Sequence, residues 1–326
     1  MTAEYDSIPE TALAWHRAGK GAALATVVET WGSAPRRVGS QLAISGEGEI
    51  AGSVSGGCVE GAVVVEAMDA IEGGMPLLLE YGVSDDEAFA VGLACGGTIR
   101  ILLEPVGKAL PEVMLTELVD ARASKEPIAY TVDTASWDRK LLRPEDGHAE
   151  RFAADKSGFE GDRFIAIHNP PLRMAIVGAV HIAQPLSQMA RLAGFEPFII
   201  DPRAAFASEA RFPGETLSHD WPDEALEAFQ LDARSAVVTL THDPKIDDPA
   251  IEATLRSNCF YLGCLGSTRT HAKRVARLEQ AGFTADQIAR INGPVGLDVG
   301  GQTPGEIASA ILSEVILSLR GPKGRG

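Results

Sequence analysis

Basic residues are scarce in this chain of 326 residues: 29 Lys and Arg stand against 45 Asp and Glu, a formal charge of −16. That deficit argues against a nucleic-acid partner, because such binders present a basic face to phosphates. No Lys/Arg run occurs outside the last few residues. Cysteine is scarce as well. Cys58, Cys95, Cys259 and Cys264 are the only four, too few for a disulfide framework in a chain this long. No apolar run approaches the roughly 20 residues that a helix needs to cross a bilayer. Met1–Asp6 carries two acids, and no apolar stretch follows it. No membrane partner and a reducing, cytoplasmic setting are therefore expected. Two chemical motifs are missing too, the Gly-x4-Gly-Lys-Ser/Thr phosphate loop and His-Glu-x-x-His, and Cys259 and Cys264 lack a second pair of ligands at zinc spacing.

What is present is a globular composition. Apolar residues make up 45%, enough to bury real cores, and at roughly 150 residues per domain the length suggests about two domains. Pro9–Ala18, Val59–Glu72 and Leu110–Ser124 read as helices, and Ala22–Glu29 and Ile99–Glu104 as strands. A hairpin is expected around Gly46–Gly48. Between Glu126 and Asn169, short apolar pieces alternate with charged loops, and Asn169-Pro170-Pro171 favours an extended join. From Leu172 the rhythm becomes strand, helix, strand, which predicts a doubly wound parallel sheet. Pro249–Ser257 and Pro304–Arg320 are expected helices in that half. The fold class is therefore α/β. A mixed N-terminal domain is expected over 1–125, connecting strands and linker over 126–171, and a Rossmann-like domain over 172–326.

Several constellations in this frame carry chemistry. Gly178-Ala179-Val180-His181-Ile182-Ala183 lies between a strand and a helix, and Asp201 closes the next strand 23 residues after Gly178. This is the placement of a dinucleotide fingerprint with its ribose-binding acid, but Val180 stands where the fingerprint's second glycine admits a pyrophosphate. Ser55-Gly56-Gly57-Cys58 precedes a helix, so its amides converge near a thiol whose pKa the helix dipole lowers. Cys58 is either that thiol or a small buried packing residue. Arg36 and Arg37 add positive charge nearby in sequence. Cys95-Gly96-Gly97 repeats the theme in reverse order. Thr241-His242-Asp243 and Gly263-Cys264-Leu265-Gly266-Ser267 follow two further strands, where open α/β sheets place ligands. Ser267 reads equally as a helix cap or an anion contact.

Taken in order, these motifs resemble a known family. Gly32-Ser33-Ala34-Pro35-Arg36, Gly56-Gly57-Cys58-Val59-Glu60 and Cys95-Gly96-Gly97 look like the N-terminal domain of the xanthine dehydrogenase accessory factors, the XdhC/CoxI family. Gly178-x-x-His181, Asp201-Pro202-Arg203, Thr241-His242-Asp243, Gly263-x-x-Gly266-Ser267 and Pro294-Val295-Gly296-Leu297-Asp298 resemble its Rossmann domain. One departure is Val180, since the family's turn usually reads Gly-x-Gly-His. The resemblance implies a chaperone that binds molybdenum cofactor (molybdopterin), holds it for sulfuration and inserts it into a molybdenum hydroxylase of the xanthine or carbon monoxide dehydrogenase type. It also implies an apo hydroxylase and a cysteine desulfurase as partners. A homodimer is expected, because closed symmetric pairs are common.

The candidate cofactor-binding residues are Arg36, Gly56, Gly57, Cys58, Cys95, Gly96, Gly178, His181, Asp201, Arg203, His242, Asp243, Gly266 and Ser267. Cys58 and Cys95 are candidate contacts to the molybdenum end, since thiolates suit a soft metal. No catalytic residue is assigned. Two other readings stand beside this one: an NAD(P)-dependent oxidoreductase, resting on the Gly178 turn and Asp201, and a sulfur- or nucleotidyl-transfer enzyme using Cys58 or Cys95.

Overall fold

The computed structural model describes residues 7–32, 36–57, 59–82 and 97–321. The chain divides into two compact units, Met1–Pro170 and Pro171–Gly326.

In the first unit, β1 (Ala22–Trp31) runs through the middle of an antiparallel sheet. The sheet's other strands are β2 (Gln41–Ser45), β3 (Ile50–Gly52), β4 (Leu77–Tyr81) and β5 (Thr98–Pro105), in the order β3-β2-β1-β5-β4. Small and β-branched residues fill β1 because both its faces are covered. Ala23, Ala25 and Val27 pack with Val63 and Ala67 of α2 (Glu60–Gly73). Ala22, Leu24 and Val28 pack on the other face with α1 (Ile8–Arg17) and α3 (Glu112–Ala123).

The stretch expected to connect two domains is instead part of this unit. It forms β6 (Ile128–Asp133), β7 (Arg139–Leu142), α4 (Ala149–Ala154), β8 (Gly158–Glu160) and β9 (Arg163–His168), with an antiparallel sheet ordered β7-β6-β9-β8. The physical reason is strand alternation. Ile128, Tyr130, Val132, Phe164 and Ala166 join the core of α1 and α3, while Ala129 and Ile165 turn to the opposite face and cover Phe152.

The second unit is a Rossmann-like domain. Its strands are β10 (Leu172–Val177), β11 (Phe195–Ile200), β12 (Thr216–Ser218), β13 (Ser235–Thr239), β14 (Tyr261–Cys264) and β15 (Ile291–Asn292). They pair in parallel in the order β12-β11-β10-β13-β14-β15. The chain thus winds outward one way from β10 and then the other way from β13, the arrangement of doubly wound nucleotide-binding sheets. Helices α5 (Ala183–Leu192) and α10 (Pro304–Arg320) cover one face through Leu186, Ala190, Ile311 and Val315. The other face carries α6 (Pro222–Phe229), α7 (Pro244–Leu255), α8 (Thr268–Gln280) and α9 (Ala285–Ile288), packed through Leu226, Ile251, Leu278 and Ile288.

Helix ends follow their caps. α10 spans its expected residues because Thr303 and Glu306 form a reciprocal capping box around Pro304. α7 begins at Pro244 rather than at Pro249. Asp243 accepts the Lys245 amide at 3.0 Å, Pro244 occupies the first turn where no amide is needed, and Pro249 lies inside the helix.

Candidate functional site

Parallel strands bring their carboxyl ends to one edge of the sheet, and ligands of such folds bind where β10 and β13 lie side by side. Gly178 makes the turn at this point. Its φ is +101°, and a Cβ there would stand 2.4 Å from Cγ2 of Thr241. Only glycine meets both conditions. His181, His242, Asp243 and Ser267 are exposed along this edge, and Arg203 and Gly266 are half-buried. His242 is held at φ +65°, a left-handed conformation unusual for a side-chain-bearing residue.

Asp201 occupies the fingerprint acid's position but faces inward. It is 0% exposed. Its Oδ2 accepts the Ala179 amide at 2.8 Å and Arg203 Nη2 at 2.7 Å, and its Oδ1 accepts the Arg203 amide at 3.0 Å and Nε at 2.8 Å. Burial works to raise this carboxyl, but the bonds from Arg203 and Ala179 outweigh it and hold the group below its usual range. Both oxygens are engaged by the chain. An acid that reads ribose hydroxyls needs an acceptor facing the ligand. The guanidinium of Arg203 lies 4.1 Å over the ring of Phe206, and Arg211 Nη1 donates to the Ala179 carbonyl at 2.7 Å. These contacts close the loop after β11 onto the Gly178 turn.

The β13 edge has its own buried acid. Asp247 accepts Thr241 Oγ1 at 2.7 Å and the His242 amide at 3.1 Å. Burial lifts its carboxyl above the ordinary value in spite of these bonds. At the β14 edge, Ser267 caps α8 by accepting the Thr270 amide at 3.2 Å. Cys264 is fully buried, and burial pushes its thiol up to about 11, so it packs rather than reacts. Cys259 is likewise buried and free.

The Gly56–Gly57 turn belongs to the first unit. Its amides do converge, as a Gly-Gly turn before a helix predicts, but the anion they meet is internal. Glu60 Oε1 accepts the amides of Val54, Ser55 and Gly56 at 3.2, 2.9 and 3.1 Å, and Ser53 Oγ at 2.7 Å. Its Oε2 accepts the Gly57 amide at 2.8 Å and the Ser55 hydroxyl. Burial opposes the charge, yet the two serine hydroxyls and the amides bring the Glu60 carboxyl down to about 2. Arg36 is exposed. Cys58, Cys95 and Gly96 lie outside the described residues. Among the described residues, no group of three His, Cys, Asp or Glu side chains is placed to hold a metal ion. No described helix is long and apolar enough to cross a membrane.

Residues 15–82 match the model of the XdhC and CoxI family, and residues 174–315 match that of the XdhC Rossmann domain. The chain belongs to the XdhC/CoxI family. The first match contains the Glu60 turn and the second the whole strand-end edge. A molybdenum cofactor insertion chaperone of Escherichia coli (strain K12), PaoD, is 28% identical over 97% of this chain and 89% of its own length. A protein of Bacillus subtilis (strain 168) described as a probable xanthine dehydrogenase subunit is 27% identical, covering 90% of this chain and 92% of that one. The crystal structure of a xanthine dehydrogenase from Bacillus halodurans has the same fold, with a TM-score of 0.79 at 24% identity over 97% of this chain and 96% of that chain.

Sequence reasoning missed four residues at these sites: Glu60 as the occupant of its own turn, Asp247, Arg211 and Arg274. Arg274 left a signal. It shares the inward stripe of α8 with Leu278, one turn further on, and a charge on an apolar stripe calls for a partner.

Proposed function

We propose that this XdhC/CoxI-family chain carries the molybdenum cofactor as cargo, shields it during sulfuration, and delivers it to an apo molybdenum hydroxylase of the xanthine or carbon monoxide dehydrogenase type. The observation that carries this reading is the end-to-end likeness to PaoD, named as a molybdenum cofactor insertion chaperone. The geometry of the second unit supports it. With Asp201 closed by Arg203 and Val180 in the turn, the groups that a nicotinamide dinucleotide requires are spent or blocked. Polar groups that suit the cargo remain exposed along the strand ends: His181, His242 and Ser267 for the phosphate, and Asp243 for pterin N–H groups. The sulfur comes from a partner cysteine desulfurase, the thiols of Cys58 and Cys95 serve the metal end, and the working form is a homodimer.

The test is chemical. Protein from cells with an active cofactor pathway is expected to copurify with molybdenum and pterin, measured by elemental analysis and pterin fluorescence. Titration with NADH and NADPH is expected to show no micromolar binding. Protein that carries neither molybdenum nor pterin, and shows no affinity for added cofactor, would remove the reading.

A further inference from the structure

Among the helices that start on the strand-end side of the second unit, α5, α7 and α8 directly follow the central strands β10, β13 and β14, and their N-termini are not equivalent. The N-terminus of α5 has Ile182 at its cap position with no side-chain hydrogen bond, and Pro185 in its first turn brings no N–H. That of α7 is occupied by carboxylates: Asp243 caps it, and Asp247 takes the amides and hydroxyl of Thr241 and His242. A second anion there meets like charge.

The N-terminus of α8 differs on both counts. Its first turn contains no acid, and it is backed by a buried cation. Arg274 is 2% exposed. Its side chain runs back toward the helix start, as helical side chains do, so that Nη2 reaches the carbonyl of Leu265 at 3.0 Å, just ahead of Gly266. Among the described residues, its Nε and Nη1 have no hydrogen-bond partner, nor does Nδ1 of His271 one turn closer to the cap. Asp247 is an acid that feels Arg274, and its oxygens are already taken by Thr241 and His242. A guanidinium stays charged at any physiological pH, and a buried charge with two of its donors unaccepted calls for an anion.

We propose that the Gly266–Thr270 turn, with Arg274 beneath it, is the anion subsite of this domain and takes a phosphate monoester. Resting on the cargo reading above, that group is the terminal phosphate of the pterin. Free inorganic phosphate offers the same chemistry and is the second source to be separated. Phosphate oxygens would receive the Ser267 hydroxyl and the first amides of α8, while Arg274 supplies the countercharge from below.

The experiment uses the full chain with two probes, inorganic phosphate and the pterin cargo before and after phosphatase treatment. Ser267→Asp keeps a capping oxygen, so α8 stays formed, but it sets a carboxylate against the phosphate. Arg274→Met removes the cation, and circular dichroism checks that each variant folds. Phosphatase treatment is expected to weaken cargo binding to the wild type at least tenfold. Each variant is expected to bind the intact cargo as weakly as the wild type binds the treated one, and to be indifferent to the treatment. Equal affinity of the wild type for both cargo forms overturns the subsite while leaving the cargo reading in place. A phosphate preference that survives Ser267→Asp also overturns it. If neither cargo form binds, but inorganic phosphate binds the wild type and not Ser267→Asp, the subsite stands and the cargo reading fails. If inorganic phosphate fails to bind as well, both fall.

Discussion

Single residues decide which electrostatic sites are open. Glu60 is the clearest case, because a carboxylate fills a ring of amides that would otherwise be ready for a ligand. Its pKa falls from 4.5 to about 2 on folding. The stabilisation is therefore complete above the unfolded value and fades as pH drops toward the folded one, with a ceiling of about 3 kcal/mol. Glu60→Gln is expected to lower stability at pH 7 by about 2 kcal/mol, since an amide presents one acceptor oxygen where the carboxylate has two. The gap to wild type should shrink steadily between pH 5 and pH 2.5, and urea titrations across that range check it. A pH-independent gap would mean that the carboxylate charge contributes nothing. Gly178→Ala belongs to the same scale. The added methyl would meet Thr241 at 2.4 Å with φ at +101°, and a cost of about 2–4 kcal/mol in thermal or urea unfolding is expected.

Between elements, buried polar ties select how layers join. Glu104 on β5 is 2% exposed and receives Tyr130 Oη of β6 at 2.7 Å and Arg139 Nε of β7 at 2.7 Å. It connects the two sheets of the first unit. Burial pushes the Glu104 carboxyl up, while Arg139 and Tyr130 pull the other way. Glu104→Ala strands a half-buried guanidinium and a buried phenol, so a loss of about 3 kcal/mol is expected. Adding Arg139→Leu and Tyr130→Phe should recover much of it, because a polar tie replaced whole by apolar groups costs far less than one broken in half. Equilibrium unfolding of the single and triple variants separates these outcomes. This tie is also why the stretch from Glu126 to Asn169 read as a connection. Its charged loops resemble linker, but Arg139 among them belongs to a buried network, and a polar residue does not reveal from sequence which acid it will meet.

At the scale of the molecule, each unit has cores of its own. The parallel sheet is buried on both faces by its own helices. Residues 171–326 expressed alone are expected to melt cooperatively, read by calorimetry and near-ultraviolet dichroism. A fragment with helical signal but no near-ultraviolet bands would refute that independence.

Local chemistry carries much of this architecture. Caps and prolines set the limits of α10, and the alternation of apolar β and amphipathic α from Leu172 onward predicts a parallel sheet, because these signals act within a few residues of one another. The motif positions along the strand ends follow from that sheet, since every parallel strand delivers its next residues to the same edge. What only the tertiary structure decided is the state of those groups. Asp201 is closed because Arg203 folds back onto it, the glycine turn before α2 is filled because Glu60 swings into it, and two donors of the buried Arg274 are left without acceptors among the described residues. Such states depend on which partners long-range packing delivers. A residue's type names the bonds it can make, but the fold determines which of them remain free.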